Sequence, residues 1–209
     1  MCPLYDARSH GKRAAYPDQP RIYSLDRTTP RHGDRPFALA HLDHTLLDIY
    51  LISSITGKPL AKPYATFLTD AYSRRMLAVH VSYEPPSSRS VMMAFRLCVQ
   101  RYGRLPQEIV VDHGPEFGRV YFEALLFQCF VTKMNRSPQQ PHFGSVIERI
   151  FGTTTSEFLN QLRGNTQARK EPRQMTREVD PQRLAVWTLE RFAARLTEYV
   201  YEVYDVIEG

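Results

Sequence analysis

The stretch "IVVDHGPEF", residues 109–117, decides how the chain is read. Three β-branched residues in succession, with no polar alternation, form the kind of strand that a sheet buries on both faces. A sheet covered on both sides needs helices above and below it, which is an α/β arrangement. The strand ends in Asp112, ahead of a His-Gly-Pro turn, and a lone carboxylate there is costly to desolvate unless something cationic meets it. Asp112 is either an acceptor for amides in the turn or one of several groups gathered around a cation.

Outward from that strand, residues 87–103 place Val91, Met92, Phe95, Val99 and Tyr102 at helical spacing, with Gly103 as the stop. Upstream, residues 41–52 read as a strand, 56–60 as a turn, and 63–84 as two strands joined at the polar "DAYSRR". Downstream come a helix over 120–130, a strand over 131–135, a Pro- and Gln-rich loop to about 144, and a helix from there to 162. A last helix covers 181–205, with Asp180 as N-cap and Pro181 in its first turn. Its Ala185, Leu189, Phe192, Leu196, Tyr199 and Val203 form one apolar stripe, most simply core packing. The order predicts a mixed sheet, three antiparallel strands then two further strands, flanked by helices. The organisation predicted is an extended arm or linker over 1–36, a core over 37–167, and a basic connector with a core-packing C-terminal helix over 168–209.

Net charge is +5 and the sequence pI about 9.2, a mild lean toward polyanions. Residues 163–183 concentrate it, with Arg163, Arg169, Lys170, Arg173, Arg177 and Arg183 against Glu171, Glu178 and Asp180. That segment is either a solvated connector or a phosphate-contacting one. Cys2, Cys98 and Cys129 show no CxxC spacing, so a disulfide framework or Cys-rich zinc site is disfavoured and a reducing compartment expected. No apolar run approaches the roughly 20 residues of a membrane span, and residues 1–20 lack the apolar centre of a secretory signal. A cytoplasmic protein with no membrane partner is the expectation.

Three acids are weighed together: Asp43 on the first strand, Asp112 ending the fourth, and Glu148 in a helix. On a helical projection Val146, Ile147, Ile150, Phe151, Phe158 and Leu162 fill one arc, and Glu148 stands at its edge. Asp48 and Asp70 rival Asp43, and Glu148 followed by Arg149 also reads as plain helix surface. If the first and fourth strands are neighbours, Asp43, Asp112 and Glu148 converge. Clustered anions repel unless a dication sits among them, and hard oxygen ligands suit Mg²⁺ or Mn²⁺. Two such ions about 3.5–4 Å apart serve phosphoryl transfer. His41, His44, His113 and His142 invite a zinc reading, but alternation along a strand points His41 and His44 to opposite faces. Lys133, Arg136 and Arg149 are the best candidates for phosphate contact.

Four segments, "HLDHTLLDIYL", "TFLTDAYSRRMLAVHVSYEPPSSRSV", "VVDHGPEF" and "HFGSVIERIFGTTTSEFLNQLRGNTQ", resemble the catalytic core of the DDE transposase and retroviral integrase superfamily. The TnsB-type transposase subunit is the nearest form and phage Mu transposase a more distant one. The resemblance spans about residues 37–167, and the 35 residues between Asp112 and Glu148 match the family's interval. It implies an RNase H-like fold, two Mg²⁺ ions, and cleavage at transposon 3′ ends followed by strand transfer into target DNA. Motif by motif, Asp43 takes the first acidic position, Asp112 the second and Glu148 the third. It also implies a homo-oligomer on paired ends and an ATPase partner. His113 departs from the Asn common after the second Asp in the family. No end-reading DNA-binding domain is visible, so a core fragment is expected. Two alternatives remain: an RNase H-like nuclease without strand transfer, and a non-catalytic DNA-binding subunit of a transposition complex.

Overall fold

Alternating apolar residues lay down an antiparallel meander first. In the computed structural model, which describes residues 34–111, 120–135, 151–166 and 180–205, β1 (Leu39–Leu46), β2 (Tyr64–Asp70) and β3 (Met76–Ser82) pair in sequence. Helix α1 (Ser88–Tyr102) then carries the chain across to β4 (Glu108–Val111), which lies parallel to β1. Helix α2 (Val120–Gln128) returns it to β5 (Thr132–Asn135), parallel to β4. Parallel neighbours need such crossovers. The sheet order is β3-β2-β1-β4-β5, the mixed sheet that the sequence predicts.

Each face of the sheet carries its own apolar layer. On one, Ala40, Leu42, Leu68, Ile109 and Val111 meet Val91, Ala94, Phe95 and Cys98 of α1 and Phe122 and Leu126 of α2. On the other, Ala65, Phe67 and Val79 meet Phe158, Leu159, Phe192, Leu196 and Tyr199. β4 is buried on both sides, Val110 packing with Leu39 and Ala71. No described helix is long and apolar enough to cross a membrane.

Four expectations differ from the structure in instructive ways. The first strand ends at Leu46, not at 52. Leu47, Ile49 and Leu51 keep the two-residue burial rhythm, but their stretch is bonded by loops: Leu47 N–H to Pro63, Tyr50 N–H to Gly164 and Ile52 N–H to Trp187 carbonyls. Periodicity reported burial, not the pairing partner. Gly164 is required there, since its φ is +91° and a Cβ would lie 2.8 Å from the Tyr50 oxygen. In α1 the buried stripe is Val91, Ala94, Phe95 and Cys98, while Met92 and Val99 are exposed. The small Ala94 and Cys98 let the helix sit close to the sheet.

The chain over 151–161 is helical, but its turns change: Thr154–Phe158 is π-helical and Leu159–Gln161 is 3₁₀. The last helix starts later than predicted. Asp180 does cap a turn, accepting from the Gln182 amide, but α3 (Leu189–Glu198) begins at an N-cap supplied by Thr188. It continues as a π-helical stretch, Tyr199–Tyr204. The wider π turn moves the buried stripe from Val203, which is exposed, to Val200 and Tyr204.

Two buried aspartates tie this frame together. Asp70, fully buried at the end of β2, accepts from the Phe37 and Ser73 amides and the Ser73 hydroxyl, each at 2.7 Å. Asp205 accepts from the Met76 amide at 2.8 Å, where β3 slips register against β2, and lies 3.6 Å from Arg75 Nε. Asp70→Ala leaves three donors without their acceptor and should cost about 3 kcal/mol in urea unfolding. Burial raises the Asp205 pKa, while the Met76 amide and the Arg75 and Arg101 guanidiniums partly oppose this. The fold thus favours the neutral acid. Its contribution is full below the unfolded value of about 3.9 and is lost as pH rises through the higher folded value. Relative to Asp205→Asn, the native protein should therefore gain stability as pH falls from neutral toward 4, read from paired urea melts.

Candidate active site

Strand β1 presents alternate side chains to the two faces. Asp43 lies opposite Phe67 of β2, on the face that packs against α3. It is half-buried, and its Oδ1 accepts the His44 amide at 2.8 Å. His44 points the other way, with Nδ1 2.8 Å from the Thr66 hydroxyl across the ladder. Burial pushes its pKa down to about 4, so the ring is neutral at physiological pH. His41 is buried on the Asp43 side, so it cannot share an ion with His44.

The rival aspartates are accounted for structurally. Asp70 is consumed by the β2–β3 turn, as described. Asp48 meets Lys62 Nζ at 2.9 Å, and the same ammonium bonds the Thr166 hydroxyl at 3.4 Å. Of the acids on β1 and β2, Asp43 alone lies on the strand that pairs in parallel with β4, two residues beyond the last pair of that ladder. β1 and β4 run in register with Ala40 beside Ile109 and His41 beside Val110. β4 is described up to Val111.

On the Asp43 face, Phe151 packs its ring on Phe67 at 5.2 Å. Beneath them a cavity of about 100 Å³ is lined by Thr45, Asp48, Phe67, Phe151, Thr154 and Leu159, among others. Thr154 sits in the π-helical turn, with its hydroxyl buried and without a protein partner. A polar cavity of that size is where bound water is expected, and π turns recur at functional sites.

Asp112, Glu148, Arg136 and Arg149 lie outside the described residues, as do His113, His142, the loop over 136–145, the arm over 1–33 and the connector over 167–179. Lys133 is described. It pairs in register with Ile109, so it faces α2, where its Nζ is 2.6 Å from Glu123 and 6.0 Å from the centre of the Phe122 ring. The sheet separates it from Asp43.

The model of the TnsB C-terminal domain family matches residues 41–164, which holds β1 through the helical segment after β5. The chain belongs to that family. A Staphylococcus aureus protein, the transposase for transposon Tn552, is 26% identical over 141 residues, 64% of this chain and 29% of that protein. The chain therefore spans under a third of this curated relative. The HTLV-2 integrase catalytic core domain, solved in complex with magnesium, superposes with a TM-score of 0.54 at 15% identity, covering 82% of this chain and 90% of that one. The simian T-cell lymphotropic virus intasome superposes with 0.51 at 16% identity, covering 73% of this chain and 49% of the matched one. The TnsB-family chain is thus a transposase/integrase superfamily member with the RNase H-like fold of integrase cores.

Proposed function

We propose that the chain is the catalytic core of a DDE-type transposase, a divalent-metal-dependent polynucleotidyl transferase that cleaves at transposon 3′ ends and joins them to target DNA. The observation that carries this is the parallel register of β1 and β4. His41 is paired with Val110, and Asp43 and Asp112 each follow their member of that pair by two residues in the sequence, which supports a meeting of the two acids. Phe151, three positions after Glu148, packs on Phe67, the cross-strand partner of Asp43, which supports a Glu148 carboxylate within the same region. The donor set also fits: three carboxylates offer only hard oxygens, the ligands that Mg²⁺ and Mn²⁺ take.

Asp43, Asp112 and Glu148 would hold two such ions. When bound, the pair supplies Lewis-acid polarisation of the scissile phosphate and stabilises charge on both displaced and entering oxygens. The protein's own part is positional. The Asp43–His44 amide contact and the His44–Thr66 bond fix the β1 backbone at the acid, and the neutral His44 ring adds no charge that would compete with a dication. Arg136 and Arg149 would meet DNA phosphates. Lys133, held by Glu123 on the far face, serves the α2–sheet joint better than the DNA. The substrates are transposon-end and target DNA, the working form a homo-oligomer on paired ends, with an ATPase among its partners.

The alternative with the same site is an RNase H-like nuclease that hydrolyses without joining. A labelled transposon end bearing a 3′-hydroxyl, mixed with target plasmid and Mg²⁺, separates them: joined product supports the transposase, and nicks alone support the nuclease. Asp43→Asn should reduce joining by about 10³-fold, since the metals' stabilisation is worth several kcal/mol, while urea unfolding stays cooperative. Undiminished joining by that variant would overturn the catalytic assignment and favour a non-catalytic DNA-binding role.

A further inference from the structure

Arginines that form no ion pair among the described residues gather at the opposite pole of the sheet from the proposed acids, where β1 begins and β2 ends, though Arg101 also acts on Asp205 at longer range. Their placement follows a continuous chain of contacts. Asp70 holds the Phe37 amide through its side chain and the Arg74 amide through its carbonyl, at 2.7 and 3.1 Å. The Phe37 ring carries the Arg104 guanidinium at 4.0 Å and meets Tyr102 edge-on at 5.3 Å. Arg101 donates from Nε to the Tyr102 hydroxyl at 3.1 Å and lies over the Tyr201 ring at 3.6 Å. Neighbouring cations are already spent: Arg75 on Asp205 and Arg35 on Asp34. Among the described residues, Arg74, Arg101 and Arg104 have no carboxylate within ion-pair distance.

Two features separate this cluster from an ordinary solvated charged face. Arg101 and Arg104 each lie over an aromatic ring and are exposed, and a guanidinium held on a ring loses less freedom when it binds phosphate. Arg74 occupies a left-handed backbone position, φ +65°. Glycine takes that conformation without strain, so a long cationic side chain there is held against a local cost. Exposed Tyr72, on the same turn, adds an aromatic surface.

We infer that this pole is a second, sequence-independent binding site for the phosphate backbone of duplex DNA. It lies apart from the acids: four residues of strand, roughly 13 Å, separate Leu39 from Asp43. A phosphate bound there is not one undergoing reaction. The inference rests on the reading of the chain as a DNA-acting protein, but it uses none of the three acids.

The test is fluorescence anisotropy of a labelled duplex of arbitrary sequence, titrated with the full chain in magnesium-free buffer over a salt series. Each lost phosphate contact lowers the salt slope by about 0.9. The triple variant Arg74→Gly, Arg101→Ala, Arg104→Ala should lose about 2.7 from the slope and bind at least about tenfold more weakly at moderate salt. Arg74→Gly alone should lose about 0.9 while its Tm holds or rises, so that weakened binding cannot be ascribed to unfolding. Native affinity and slope in the triple variant would overturn the site, as would weakened binding with an unchanged slope. Preference for single-stranded RNA over the duplex would overturn the assignment of the ligand. Asp43→Asn is assayed separately, for strand joining only. If that variant still joins strands, the catalytic reading fails and the anisotropy result stands by itself.

Discussion

The parallel pairing of β1 with β4 is the constraint on which the rest of the structure depends. β1 is used twice: one edge accepts the antiparallel meander through β2, and the other accepts β4 after the chain has crossed over α1. A one-residue slip in either pairing would turn Asp43 from the α3 face to the α1 face and bury it among Leu68 and Ile109. Register is held where errors are costly. Ala40, Leu42, Ile109 and Val111 are all buried against α1 and α2, so a slip would exchange apolar side chains for a carboxylate in a closed layer.

That frame also explains how polar groups are apportioned. The two rival aspartates and Asp205 are occupied by structure: Asp70 in a turn, Asp48 with Lys62, Asp205 at the register slip of β3. Asp205 closes the molecule, because it brings the end of the C-terminal helical stretch onto an edge strand and satisfies an amide that the shifted ladder leaves over. The cost is a buried carboxylate with a raised pKa. The two poles of the sheet then differ in chemistry. On the proposed reading the catalytic acids belong to the end where β1 finishes, and the arginine cluster lies at the end where it begins. A protein that must hold an anionic polymer while keeping a cluster of carboxylates for metal gains from separating the two, since adjacent guanidiniums would pair with the acids.

Much of the fold was legible in the chain because local chemistry and burial agree there. The β-branched run at 109–111 reads directly as a doubly buried strand, and the polar "DAYSRR" between apolar stretches reads directly as a turn. Legibility fails where partners come from afar. Residues 47–52 alternate like a strand, yet their amides bond to Pro63, Gly164 and Trp187. The stripe of the last helix drifts because a π turn inserts an extra residue, and nothing in "EYVYEVY" announces that. Arg74, Arg101 and Arg104 drew no attention in the sequence, where the first stands well apart from the other two; the signal lay in Arg74 occupying a turn position that glycine would fill.

The sequence by itself determined the class of the fold and the identity of the candidate acids. Hydrophobic periodicity and the spacing of Asp43, Asp112 and Glu148 are local or motif-level properties that survive without coordinates. Only the tertiary structure decided which aspartates are occupied elsewhere, that Lys133 lies across the sheet from Asp43, and that three distant arginines share a pole. Those facts depend on which strand lies beside which and in what register. Pairing of that kind is selected by the burial of whole faces at once, not by any residue's own preference.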